Sequence, residues 1–164
     1  MSSFAKLAQQ LITTLGIPST SSPLFLTYNT FFTTPSGCCV LGFHSVTSSN
    51  QTYAVAAYSD PGIFNAPIED IHALSHELGE WLDDPFVNNP TPGWQAGQAK
   101  SCQKNLEVGD PVTGIAFSVT LNNVDYHPED LVFLPWFARE SPSTAVNGWY
   151  TFLNSFASPP SVCQ

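Results

Sequence analysis

The sequence predicts an α+β domain, and three observations carry that prediction. Apolar residues recur at helical spacing in two stretches, one at the N-terminus and one mid-chain. Strand-like stretches rich in Phe, Thr, Tyr and Val stand between them. The last part of the chain is irregular and rich in proline. With 164 residues, 43% hydrophobic and 13% aromatic, the chain suits a single domain over 1–164 around one core.

Phe4, Leu7, Ala8, Leu11, Ile12 and Leu15 predict a helix over 3–15, which Gly16 and Pro18 stop. Leu24 to Phe32, Cys39 to Val46 and Tyr53 to Tyr58 read as three strands, the last two separated by the turn Thr47-Ser48-Ser49-Asn50. Ile68 to Asp84 is the best-defined element. Ile68, Ile71, Leu74, Leu78, Trp81 and Leu82 make an apolar stripe expected to face a core. Glu69 and Asp70 are expected in its first turn, where they complement the helix dipole. Residues 85–104 read as a long polar connection, of a length that is often functional. Leu106 to Val108 and Ile115 to Leu121 read as short strands. Leu131 to Phe137 is apolar but interrupted by Pro135, and Ala145 to Phe152 is an aromatic segment near the end.

Composition excludes some functions. The net charge is −9, and the four basic residues, Lys6, Lys100, Lys104 and Arg139, are scattered. Nothing here could track a phosphate backbone, and an anionic membrane would repel the surface, so neither nucleic acid nor membrane is an expected partner. No apolar run approaches the roughly 20 residues of a membrane span. Only 10% of residues are charged, and Ser, Thr, Asn and Gln supply the polarity, which suits an extracellular protein. The start Met1-Ser2-Ser3 has no basic region, so the secreted form is expected to begin after a removed signal. Cys38, Cys39, Cys102 and Cys163 suggest two disulfides and an oxidising compartment. A bond between neighbouring Cys38 and Cys39 needs an unusual strained ring, so each is expected to reach Cys102 or Cys163.

The chemistry is carried by His76-Glu77-Leu78-Gly79-Glu80. Residues four apart on a helix share a face, with Cβ atoms about 5–6 Å apart, so His76 and Glu80 can address one metal ion. Glu77 is rotated away from that pair and is placed to take a proton from a water held by the metal. This is the logic of His-Glu-x-x-His zinc peptidases with the second His replaced by Glu. A catalytic zinc takes three protein ligands plus water. Asn105-Leu106-Glu107-Val108-Gly109-Asp110 is the candidate source of the third, with Glu107 the first choice and Asp110 either a ligand or the group that orients His76. His72, one turn earlier, faces the same side and could be a ligand in place of Glu80, but is expected rather to support the site or lie on the surface. His44 is expected to be structural. Tyr126 and His127 are weaker candidates for stabilising an oxyanion. Asp83 and Asp84 oppose the dipole at the helix end and need a partner there, such as a metal, a Lys or backbone NH groups of the following loop.

Ser75-His76-Glu77-Leu78-Gly79-Glu80-Trp81-Leu82-Asp83-Asp84-Pro85, followed by Glu107-Val108-Gly109-Asp110, resembles a group of secreted His-Glu-x-x-Glu proteins. Plant phosphate-induced (Exordium-like) proteins show the pattern, as do many bacterial extracellular proteins. The close match covers about residues 70–111, and the rest looks more like the bacterial members. More widely the chain resembles zincin metallopeptidases, whose active-site helix packs on a small twisted sheet. The resemblance implies His76, Glu80 and Glu107 or Asp110 as metal ligands and Glu77 as general base. It implies a zinc-dependent peptidase or amidase acting on a peptide or protein. The chain itself is expected to be a monomer. Anionic ligands also suit Mn²⁺ or Ca²⁺. Two other readings stand beside it: a non-catalytic extracellular binding protein that keeps the metal for stability, and a secreted domain without metal whose His76–Glu80 helix is only an acidic face.

Overall fold

The N-terminal half is built around one strand. A computed structural model describes residues 2–34 and 37–164, so Met1, with which the signal-peptide expectation begins, lies outside it. Helix α1 spans Ser2–Thr14, and strands β1 to β5 span Leu24–Tyr28, Phe32–Thr34, Gly37–Val40, Gly42–Val46 and Thr52–Tyr58. β5 lies between β1, which is parallel to it, and β4, which is antiparallel. β2 and β3 form a separate hairpin. The expected strand at Leu24 to Phe32 is thus two strands, and that at Cys39 to Val46 breaks at Leu41.

Side chains alternate across a strand, and antiparallel neighbours opposite one another share a face. Tyr53 and Val55, with Phe43 opposite Val55 and Phe25 on β1, meet Phe4, Ala8 and Ile12 of α1. The other face of β5 carries Ala54 and Ala56, and β4 places His44 and Gly42 opposite them. Helix α2, His72–Asp83, covers that second face.

α2 is turned the other way from expectation. Its buried residues are His72, Ala73, His76, Glu77, Gly79 and Glu80, while Leu82 is 72% exposed. The residues of the apolar stripe lie at the edges of the contact or in solvent. The small residues Gly42, Ala54 and Ala56 leave room for the polar face, whose charged groups gather against His44. The helix also begins at His72 rather than Ile68. Asp70 has a positive φ of 42° and bridges to Ser59 across two backbone hydrogen bonds, which takes it out of the helix. No acidic residue therefore sits in the first turn. At the other end Asp84 is fully buried and accepts the backbone NH groups of Asn88 and Asn89, both at 2.9 Å, so the loop supplies its partner.

The C-terminal half is short elements around a second apolar cluster. β6, Pro90–Trp94, pairs with β7, Gln103–Asn105, so the expected long polar loop holds a hairpin. Trp94 packs with Trp136, Phe137, Val108, Val112, Val132 and Tyr150. Leu106 and Val108 pack into this cluster, and residues 106–108 form no strand. β8, Val119–Leu121, and β9, Val124–Tyr126, turn at Asn122 and Asn123, both of positive φ. Pro135 lies in the first turn of α3, Leu134–Phe137, where its missing NH costs nothing.

The cysteines pair Cys38 with Cys39 and Cys102 with Cys163, against expectation. The C-terminal tail lies along β6, close enough that a side chain on Gly93 would strike both the Cys102 sulfur and the Cys163 carbonyl. That proximity gives Cys163 to Cys102 and leaves the two hairpin cysteines to each other. Among the described residues no helix is long and apolar enough to cross a membrane.

Candidate metal centre

The buried face of α2 presents His72, His76, Glu77 and Glu80 to β4, β5 and the segment 105–110. One helical turn brings His76 Nε2 to within 3.2 Å of Glu80 Oε1. A 3-10 turn, Asp110–Val112, brings Asp110 Oδ1 to 3.5 Å from the same nitrogen. His76, Glu80 and Asp110 each offer one donor atom, and these lie within 4.8 Å of one another. Gly109 permits the approach, because a Cβ there would stand 2.5 Å from His76 Nδ1. The backbone NH groups of Gly109 and Asp110 both point at Glu80 Oε1, at 3.3 Å. Gln98 donates to Asp110 Oδ1.

The other imidazole nitrogen is also held. His76 Nδ1 donates to Glu129 Oε2 at 2.8 Å. In the neutral ring that bond leaves Nε2 as a lone pair aimed at two carboxylate oxygens. Three acceptors then converge with no proton between them, the carboxylates receiving NH groups only from their outer sides, from Gly109, Asp110 and Gln98, so the space they share suits a cation or an added proton. Donors at about 2.0–2.2 Å from a tetrahedral zinc stand about 3.3–3.6 Å apart, close to the 3.2 and 3.5 Å found here. The residues present therefore fit a divalent cation.

Glu107 lies elsewhere in the cluster. Its Oε2 stands 3.8 Å from His44 Nε2 and has no hydrogen-bond partner, and its Oε1 accepts from Asn105. His44 itself lies against α2. Its Nε2 reaches the Asp84 carbonyl at 3.2 Å, and its Nδ1 stands 3.5 Å from both Glu77 Oε2 and Glu80 Oε2. His44, Glu77 and Glu80 thus form a second group able to hold a cation. His72 is 2% exposed and lies 3.1 Å from Glu129 Oε2, without the alignment of a hydrogen bond.

The crowding of carboxylates shifts the whole cluster. Burial opposes charge on His44, but Glu77 and Glu80 beside it prevail and raise it to about 10. Burial likewise opposes charge on His76, and Glu80, Asp110 and Glu129 override it, so its pKa lies well above the ordinary value. Burial raises Glu107 to about 8, with Glu80 adding to the rise. Glu77 is also raised by burial, although His44 and His76 pull against it. Glu80 goes the other way: burial would raise it, and the two imidazoles hold it below its usual range. Without a metal, then, this interior is neutralised by protons.

A cleft of about 360 Å³ reaches the centre from one side. His72, His76, Glu77 and Glu129 form its polar end, and Leu41, Phe64 and Ile68 line its apolar wall beside the Cys38–Cys39 pair. Tyr126 and His127 are not among the lining residues. His127 instead fastens the start of α2 to the end of β9: its NH and its Nδ1 both donate to Asp70, the latter at 2.7 Å, with Glu69 Oε1 3.1 Å away. These three form a third, half-exposed group of donor atoms.

Glu129 and the position of His44 escaped the sequence reading. A signal for His44 existed: it is the one titratable residue in its strand and shares a face with Gly42, opposite alanines. Glu129 had only its place beside Asp130, just before an apolar run. No family model, no curated protein and no solved structure matches this chain.

Proposed function

We propose that the chain is a secreted, zincin-like, metal-dependent hydrolase of peptide bonds, with its cation on His76, Glu80 and Asp110. The observation that carries this reading is the convergence of His76 Nε2, Glu80 Oε1 and Asp110 Oδ1, with Glu129 turning the imidazole towards the other two. Zinc suits an imidazole and carboxylates, and Mn²⁺ is the first alternative because two ligands are anionic. When bound, the ion supplies a Lewis acid for the carbonyl under attack and makes water a better nucleophile. Glu77 lines the cleft, and burial raises its pKa towards the working range of a general base. It accepts the proton of the attacking water and hands it to the departing amine. The apolar wall of the cleft receives a hydrophobic side chain of the substrate and keeps bulk water from the reacting bond.

The depth of the centre favours a second reading, a binding protein with a structural ion, because His76 and Glu80 are only 7% and 4% exposed. One comparison decides between them. Glu77→Gln should keep the ion on His76, Glu80 and Asp110, by elemental analysis, and lose about 10²–10⁴-fold in cleavage of a quenched-fluorescence peptide library. Equal turnover in variant and wild type would defeat the hydrolase reading. A wild type that holds the ion, cleaves nothing and melts markedly lower in chelator would establish the structural one.

A further inference from the structure

Glu80 has two oxygens, and they face different histidines. Oε1 belongs with His76 and Asp110, and Oε2 lies 3.5 Å from His44 Nδ1. We infer that the chain holds a pair of divalent cations bridged by the Glu80 carboxylate, the second of them on His44 Nδ1, Glu77 Oε2 and Glu80 Oε2. The inference rests on the hydrolase reading for the first cation and revises its account of Glu77, which becomes a ligand of the second ion, so Glu77→Gln would lose that ion and keep the first.

Three features of the second group point to a ligand. First, the Asp84 carbonyl can only accept, so the contact at 3.2 Å places the ring proton on His44 Nε2. The neutral ring then aims its Nδ1 lone pair at two carboxylates. Second, Glu77 Oε2 is buried, on a residue only 5% exposed, and has no hydrogen-bond partner. A buried carboxylate oxygen without a partner is costly, and a cation removes that cost. Third, the spacing is that of ligands around an ion. A charged imidazole bound to a carboxylate stands about 2.7–2.9 Å away. His44 Nδ1 is instead 3.5 Å from each of two oxygens, close to the roughly 3.3–3.6 Å edge of a tetrahedral metal site.

The fold builds this pocket deliberately from small residues. Gly42 sits on the same face as His44, and a Cβ there would stand 2.6 Å from Glu77 Cγ and 2.8 Å from the Val55 carbonyl. Glycine thus lets Glu77 lie against the sheet beside His44. Two carboxylates to one imidazole are the donor set of both positions, so each takes Mn²⁺ or zinc, and Mn²⁺ is the ion whose coupling can be read. Carboxylate-bridged pairs elsewhere stand about 3.5–4 Å apart and share the charge that develops on attacking and leaving atoms.

The metal-stripped chain of 164 residues is loaded with Mn²⁺, passed through a desalting column, and assayed for bound metal and by electron paramagnetic resonance. Two ions per chain with an exchange-coupled spectrum are expected. His44→Gln should reduce this to one ion with an uncoupled six-line signal. One uncoupled ion in the wild type would overturn the pair and leave the single-cation reading intact. No retained ion, with Mn²⁺ or with Zn²⁺, would overturn both. Two ions without coupling would also overturn the pair, placing the second at a distance, such as at Glu69, Asp70 and His127. The wild-type spectrum alone decides if the variant does not fold.

Discussion

The two faces of the β1–β5–β4 sheet are each covered by a helix, and the coverings differ in kind. Towards α1 the sheet shows Phe25, Phe43, Tyr53 and Val55, which close around Ala8 and Ile12 without a charged group. Towards α2 it shows Gly42, His44, Ala54 and Ala56, and the helix answers with His76, Glu77 and Glu80. One residue's step along β5 separates the two. The first face is stabilised by removing apolar area from water, at about 25 cal/mol per Å². The second buries charge, which destabilises unless every group is compensated. Stability and chemistry are therefore assigned to alternate residues of the same strands, and each face should fail in its own way.

The largest effect is expected on the apolar face. Tyr53 is fully buried, and its ring meets Phe25 and Phe43 at 6.4 and 6.1 Å. Tyr53→Ala should cost about 3–5 kcal/mol in denaturant unfolding. The loss should be the same in chelator and in metal. A loss that added metal repairs would break the division between the faces. On the other face, Glu129→Gln removes the charge that holds His76 Nδ1. Metal affinity should fall about 10–100-fold in competition with a chelating dye, with a much smaller change in chelator-treated stability. Unchanged affinity would mean that Glu129 does not aim His76.

The dependence on pH sharpens the contrast, because the α1 face carries nothing that titrates near neutrality. His44 is raised from 6.5 to about 10, so its contribution is complete below 6.5 and is lost as pH rises towards 10. Glu107, raised from 4.5 to about 8, acts in the same direction between those values. Glu80 is lowered, so its contribution is lost only as pH falls through the acid range. The metal-free chain should therefore melt at a lower temperature at about pH 8.5 than at about pH 6. Metal replaces the protons and should shrink that difference. Paired melting curves with and without chelator check it, and a metal-free chain more stable at the alkaline pH would reverse the assignment.

The elements that were legible in the sequence are those with a local pattern. α1 and the body of α2 follow from a 3.6-residue repeat, and β5 follows from a continuous apolar run between turn residues, the mark of a strand covered on both faces. Spacing also joined His76 to Glu80, because a helix turn is local. It did not reveal which face of α2 turns inward: the pattern of Leu74, Leu78 and Trp81 says that an apolar stripe exists, and only the small residues of the opposing sheet show that the polar stripe wins. The choice between Glu107 and Asp110 depended on a turn whose direction is set by tertiary contacts of Val108 and Val112. Glu129 lies 53 residues from His76, and no local rule connects them. The cysteine pairing was missed for the same reason, since the path of the tail along β6 is a tertiary fact.

The smallest effect is expected at a glycine, and it separates the inner side of α2 from its flank. A Cβ on Gly42 would meet the Val55 backbone carbonyl at 2.8 Å and Glu77 at 2.6 Å, and a carbonyl in a central strand cannot move aside. Gly42→Ala should therefore displace Glu77 and lower metal affinity. A Cβ on Gly79 meets only Leu131, at 2.6 Å from Cδ1. That contact is the tip of a flexible side chain, which can rotate. Alanine also gains about 0.5–1 kcal/mol over glycine within a helix. The clash and the gain nearly offset, so Gly79→Ala should shift unfolding by less than about 1 kcal/mol and leave metal affinity unchanged. If Gly79→Ala weakens metal binding as much as Gly42→Ala does, the centre depends on the seat of the whole helix against the C-terminal half, and the sheet face loses its privileged role.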